Sequence, residues 1–284
     1  MSSPAIPSRS AEVPTRTLSV LAALAAVLAV AFVVAPRTLA AREPGASFAD
    51  EPDIRENFGA AFVDYWSSGD PEFSAGLVRI VDFWLRYHAA KAVIAALLLI
   101  VLVSLGALLW KAFLGSGGRG PGRQRALASG GVLVTMLALF SAVLVMANIQ
   151  GVVAPFSSLF PMLTDGAADG RLAETLGQVG QRLAESPDAG DQSTPVEVMV
   201  DDFARYHVAM AVIAASVAVA LIGMSVVSWL GVARSTDRRA KRLSGAFGAF
   251  SALLALAMIV VTVANTTTAA DSAPALAALF DGSW

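Results

Sequence analysis

The chain has 284 residues, of which 56% are hydrophobic and only 15% charged, with a formal net charge of −2. Soluble domains carry about 25% charged residues, so the shortfall belongs to stretches that never meet water, and a mean hydropathy of +0.66 agrees. The lack of cysteine excludes disulfides, thiolate metal sites, cysteine nucleophiles and covalent c-type haem, and two histidines leave little for a zinc hydrolase or a Ser-His triad. The composition predicts an all-α integral membrane protein with no nucleic-acid partner.

Five segments free of Asp, Glu, Lys and Arg are long enough to cross a bilayer: 17–36, 92–110, 126–164, 206–233 and 243–270. The first follows Arg9 and Arg16 and reads as a signal-anchor helix within an N-terminal region 1–44. A cleaved signal peptide ending at Thr38-Leu39-Ala40 is the alternative. The third segment exceeds one crossing, so its membrane part is expected at 131–152, with Pro155 and Pro161 closing it. The segments lack the alternating polarity of a β-barrel.

Charge assigns the sides. The segments on the side of the N-terminus, 1–16, 111–125 and 234–242, carry 11 basic residues against 2 acidic ones. The opposite segments, 37–91, 165–205 and 271–284, carry 9 basic residues against 20 acidic ones. The near-neutral total therefore conceals +9 facing −11. Basic loops stay in the cytoplasm, which predicts a cytoplasmic N-terminus and an extracytoplasmic C-terminus. An Arg to Lys ratio of 17 to 3 and alanine-rich spans point to a high-GC bacterial genome, and so to the bacterial inner membrane.

An internal repeat divides the rest of the chain. Residues 86–96 read RYHAAKAVIAA and residues 205–215 read RYHVAMAVIAA, nine identities in eleven. Near this offset Asp82 answers Asp201, Trp110 answers Trp229, Ala147-Asn148 answers Ala264-Asn265, and Leu159-Phe160 answers Leu279-Phe280. Two units result, 45–164 and 165–284, each with an outer amphipathic helix and a transmembrane hairpin. Both run in the same direction, so they are parallel repeats related by an axis along the membrane normal, and the two hairpins are expected to form a four-helix bundle.

The outer helices show in Ile54, Phe58, Phe62 and Tyr65 or Trp66 of the first unit, and in Leu172, Leu176, Val179 and Leu183 of the second. A long helix follows in each. Asp70-Pro71-Glu72 is the expected start in unit one, with Gly76 a potential break, and Thr194-Pro195-Val196-Glu197 supplies an N-cap, N1 proline and capping-box glutamate in unit two. The glycine-rich turn 115–122 lacks a preceding strand and a Walker lysine, so it is a flexible connection. Arg238, Arg239, Lys241 and Arg242 form a basic turn that sets topology or, alternatively, binds anionic lipid headgroups.

The candidate site is the duplicated element Asp82, Arg86, Tyr87, His88 and Asp201, Arg205, Tyr206, His207 at the outer mouth of each long span. Asp82–Arg86 and Asp201–Arg205 have favourable i,i+4 order, and the tyrosines with Trp84 suit an interfacial belt. Counting by four from the histidines gives Ala92, Ala96, Ile100 and Ser104, and Ala211, Ala215, Val219 and Gly223. The small residues Ala92, Ala96, Ala211, Ala215 and Gly223 are the expected packing positions. Asn148 and Asn265 lie at matching depth on the return helices and are the expected partners of the histidines.

No catalytic constellation is visible, so the leading expectation is a structural or interaction component of the cell envelope, without a cofactor and with a membrane or envelope protein as partner. Two alternatives are kept. In one, His88 and His207, related by the repeat, are the two axial ligands of a b-type haem. Transport of a small solute or ion is disfavoured because no span carries a mid-membrane charge.

Overall fold

The computed structural model describes residues 15–41, 48–115, 120–164, 170–185 and 194–282. Their regular structure is helical: α1 (Thr15–Ala40), α2 (Glu51–Ser68), α3 (Ala75–Leu114), α4 (Pro121–Val153), a 3-10 turn (Ser157–Leu159), α5 (Pro161–Thr164), α6 (Gly170–Glu185), α7 (Pro195–Arg234), α8 (Arg238–Ala270) and α9 (Ser272–Asp281). Five of these, α1, α3, α4, α7 and α8, are long and apolar enough to cross a membrane. Their large side chains point outward to a degree water would not allow: Val33, Ile100, Phe140, Val219 and Leu253 are all 60% exposed or more.

Helix boundaries follow local chemistry. Asp50 caps α2 by accepting from the Asp53 N–H at 3.0 Å, with Pro52 in the first turn, and Gly69 ends the helix at φ 71°, a conformation that other residues adopt only under strain. α3 starts later than Asp70-Pro71-Glu72: Ser74 is its N-cap, accepting from the Leu77 N–H at 3.3 Å, and Gly76 lies inside the first turn without breaking it. The reason is Phe73, whose ring meets Tyr65 edge-on at 5.4 Å and Phe156 at 4.8 Å, so residues 69–74 are drawn across the core as a link. α7 starts at Pro195 as expected, although the Thr194 side chain makes no capping hydrogen bond. α4 ends at Val153, one residue past the expected 152, but begins at Pro121, so the basic residues Arg123 and Arg125 are helical. The centre of the glycine-rich turn, 116–119, lies outside the described residues, as do Arg9 and the loop 42–47.

Each long pair is an antiparallel hairpin, α3 on α4 and α7 on α8, and the hairpins meet through α4 and α7. α1 packs on α3, with Leu18, Leu21, Ala25 and Leu28 against the cluster of Leu98, Leu102, Leu105 and Val134. A closed twofold pair of hairpins would repeat the α4–α7 contact between α8 and α3. Among the described residues no α8–α3 packing of comparable extent accompanies it. Close backbone packing therefore runs in chain order, and a wedge is left beside α8.

The main core lies at one end, where α2, α5, α6, α9 and the N-terminal ends of α3 and α7 form a cap. Phe58, Phe62, Tyr65, Leu77, Phe83, Phe156, Phe160, Val179, Met199 and Leu276 are fully enclosed there. The expected amphipathic stripes face this core: Ile54, Phe58, Phe62 and Tyr65 are buried, as are Val179 and Leu183, while Leu172 and Leu176 pack at its edge. The two halves are joined across it by Trp66 Nε1 donating to Gln178 Oε1 at 2.9 Å, and by the rings of Phe160 and Phe280 at 5.8 Å. At 40 residues, α3 and α7 are each roughly 60 Å long, twice the ~30 Å of a hydrocarbon core, so each reaches from the cap through the full apolar length of its span. The opposite end, where the α3–α4 and α7–α8 turns lie together, is the loop end: Arg239 Nη2 donates to Gln124 Oε1 there at 3.0 Å.

Candidate functional site beneath the cap

The structure brings together the groups that the duplicated element and the return helices suggested. His88 Nδ1 lies 2.9 Å from Asn148 Oδ1, and His207 Nδ1 lies 2.9 Å from Asn265 Oδ1. Each asparagine amide nitrogen donates back to its own helix, Asn148 to Leu144 O at 2.7 Å and Asn265 to Val261 O at 2.9 Å. That fixes the amide orientation, so the oxygen faces the imidazole and can only accept. Each histidine therefore donates through Nδ1–H, and a neutral ring keeps its lone pair on Nε2. In His88 that Nε2 is buried and makes no hydrogen bond.

Aromatic rings hold the imidazoles in place. One turn before each histidine stands an edge-on ring, Trp84 at 4.7 Å from His88 and Phe203 at 4.6 Å from His207. Tyr87 and Tyr206 lie edge-on at 5.5 and 5.4 Å. Trp84 is anchored by its own Nε1 donating to Ser158 Oγ at 2.8 Å, which ties the site to the cap. Lys91 turns outward to Tyr87, its Nζ 3.3 Å from the hydroxyl and 4.9 Å from the Phe32 ring of α1.

Three features of the site differ from expectation. Arg205 pairs with Asp202, at 3.1 Å and three residues away, and Asp201 points to solvent. Asp202 is buried because its second oxygen accepts from the Ser157 backbone N–H at 2.8 Å, which fastens the 3-10 turn to α7. Asp82 is likewise exposed, and Arg86 and Tyr87 are half-buried. The packed stripe below the histidines also follows a different count. On α7 the buried positions are His207, Ala211, Ala214, Ala218, Leu221 and Ser225, alternating steps of four and three. A helix turns every 3.6 residues, so counting by four drifts about 40° per step. Val219 is consequently 70% exposed, and Gly223 has nothing within 4 Å of an added Cβ. On α3, Ala95, Leu98, Leu102 and Leu105 are buried, while Ala92 and Ala96 are half-buried and Ile100 and Ser104 exposed. Ala211 is buried and Ala215 half-buried.

Two residues that sequence reasoning passed over complete the site. A Cβ at Gly151 would lie 2.8 Å from His88 Cγ, so the imidazole lies directly against the α4 backbone. Gln150, beside it and buried, donates from Nε2 to Tyr206 O at 3.1 Å and so links the two hairpins at this level. Gln150 is the sole glutamine in the charge-free run 126–164, which was the available signal. At the loop end each hairpin closes in a related way: an added Cβ would lie 2.9 Å from the Trp110 ring at Gly131 and 3.0 Å from the Trp229 ring at Gly248. Buried hydroxyls bridge the same pairs, Ser141 Oγ to Ala95 O and Ser225 Oγ to Gly248 O, both at 2.9 Å.

Chemically, the site pairs two imidazoles with two amides. Among the described residues no three His, Asp or Glu side chains gather as a metal site. Compared with protein-family models, curated protein sequences and solved structures, the chain matches none.

Proposed function

We propose that this chain is a multipass protein of the bacterial inner membrane with a structural or protein-interaction role in the envelope. In this reading the cap is extracytoplasmic, the loop end is cytoplasmic, and the two halves are a duplicated unit of outer helix and hairpin. The observation that carries it is the cap. It has an aromatic core of its own, continuous with the outer ends of α3 and α7, and its outer surface exposes Glu51, Glu56, Asp64, Glu72, Glu174 and Asp271. The polar groups beneath it, His88, His207, Asn148 and Asn265, are bonded to one another. What is offered outward is thus a rigid acidic platform, suited to an envelope protein with a basic surface. α1 reads as a retained anchor, because Ala40 at its end is enclosed in the cap core.

Cysteine labelling and photo-crosslinking test this. The natural chain has no cysteine. With an impermeant maleimide, Glu56→Cys should label in intact spheroplasts and Thr236→Cys only after permeabilisation, and the reverse pattern overturns the topology. A photo-reactive residue at Asn57 should give one discrete adduct in membranes, weakened when Glu56 and Asp64 are made neutral. An adduct indifferent to those charges, or none, overturns the interaction role.

A second reading is favoured by one observation, the buried Nε2 of His88 without a hydrogen-bond partner. An imidazole fixed through Nδ1–H with a bare Nε2 is the form that ligates iron, so His88 is a candidate axial ligand of a b-type haem, with His207 proposed as the second ligand because it is the repeat equivalent. A pyridine haemochrome spectrum of the purified protein without haem bands rejects it.

A further inference from the structure

The wedge beside α8 has a shape and charge of its own. At the loop end α4 and α8 stand apart, and the space between them is an apolar groove of about 320 Å³. Val132 and Met136 of α4 form one wall, and Ala246 and Phe250 of α8 the other. The floor is Trp110 of α3 against Phe247 of α8, edge-on at 5.4 Å. Val132, Met136 and Ala246 are exposed to the groove rather than packed across it.

The groove is closed at its loop end by a cation. Arg239 is four residues before Leu243 and eight before Phe247, so it continues the groove-lining stripe of α8 by one more turn. Its guanidinium bonds Gln124 of α4 at 3.0 Å and lies 5.8 Å from the Phe113 ring, spanning the mouth of the wedge. The helix ends at this side of the molecule also carry Lys111 on α3, Arg123 and Arg125 on α4, Arg234 on α7, and Arg238, Lys241 and Arg242 on α8. Against these the two turns hold one acid, Asp237, whose carboxylate caps α8 by accepting from the backbone N–H groups of Arg239 and Ala240 at 3.2 Å.

We propose that this wedge binds an anionic glycerophospholipid of the adjoining leaflet. One acyl chain lies along the apolar walls and the headgroup phosphate sits at Arg239 among the neighbouring cations. The chemistry is matched at both ends: a trough with apolar walls, then a cationic lip where the apolar length of α8 stops. This rests on the reading that the long helices span a bilayer.

The test is native mass spectrometry of the full chain in detergent, titrated with phosphatidylglycerol and with phosphatidylcholine of identical acyl chains. The natural protein should retain one phosphatidylglycerol with about tenfold preference over phosphatidylcholine. Arg239→Gln should cut that preference about fivefold. Ala246→Phe fills the groove and should abolish retention of both lipids, and Met136→Trp does the same from the facing wall. Equal retention of the two lipids by the natural protein, a dimer in place of the lipid adduct, or unchanged retention in both groove-filled variants overturns the site. Resistance of the chain to carbonate extraction from membranes checks the spanning reading separately, so the two failures are distinguishable.

Discussion

Gly151→Ala tests the contact on which the His88 site is built. The new methyl group would lie 2.8 Å from His88 Cγ, 2.9 Å from Nδ1 and 3.0 Å from Cδ2. Comfortable carbon contacts begin at about 3.5 Å, so the ring must retreat by roughly 0.5–1 Å or α4 must move off α3. Either motion stretches the 2.9 Å bond to Asn148. Overpacking costs about 1–3 kcal/mol, and a buried amide oxygen left without its donor adds about 1 kcal/mol in a membrane setting. The expected loss is about 2–4 kcal/mol, which lowers the melting temperature in detergent by roughly 5–12 °C. Gly223→Ala is the matched control on an unpacked helix position: it has open space around it and should lose nothing. In a His88→Ala background the ring is gone, and Gly151→Ala should cost under about 0.5 kcal/mol. Equal cost in both backgrounds, or a Gly151→Ala protein as stable as Gly223→Ala, refutes the reasoning.

Other outcomes follow from the same geometry. A double-mutant cycle on His207 and Asn265, each changed to Ala, should give a coupling of about 0.5–2 kcal/mol in thermal unfolding, and additive losses would show that their 2.9 Å contact contributes nothing. Asp202→Ala should cost about 2–3 kcal/mol, since the Ser157 N–H and Arg205 both lose their acceptor, whereas the adjacent Asp201→Ala should stay within about 0.5 kcal/mol. In the cap, enclosure pushes the Tyr65 phenol up to about 12, with the charge of Glu72 adding to the rise. Because the folded value exceeds the ordinary 10.0, the contribution is whole below pH 10 and is lost as pH climbs towards 12, about 3 kcal/mol in all. Denaturation at pH 9 and pH 11 should show this decline in the natural protein and a clearly smaller one in Tyr65→Phe.

Hydrophobic length and periodicity read well because they answer to one variable, burial in an apolar medium. That is why the five spans and the stripes of α2 and α6 lie where the residue pattern placed them. The histidine–asparagine pairs were legible for a related reason: four amphoteric side chains at matched depth among apolar neighbours have few partners other than one another. Positions that depend on azimuth were not. Val219 and Gly223 fell off the packed face because a fixed step of four outruns the helix, and Asp201 and Asp202 differ by 100° of rotation, which adjacent letters do not reveal. Phe73, Phe156 and the final helix α9 escaped notice because their burial depends on contacts between distant segments. Gly151 was missed since a glycine in a span reads only as a small residue until the ring above it is known.

The two hairpins are unequally joined along their length. Near the cap they share a core, a Trp66–Gln178 bond and the Gln150–Tyr206 bond, whereas at the loop end side chains such as Arg239 and Trp110 reach across between α8 and its neighbours. Geometrically the cap is the better-tied end of the pair, and the loop end the more sparsely tied one. Over arms of roughly 60 Å, a rotation of about 5° at the cap moves the far tips by about 5 Å, close to one helical rise per turn. Whatever fills the wedge therefore sits where leverage on the spacing of the basic tips is greatest, and a substitution in the cap acts on that spacing only through the full length of α3 and α7.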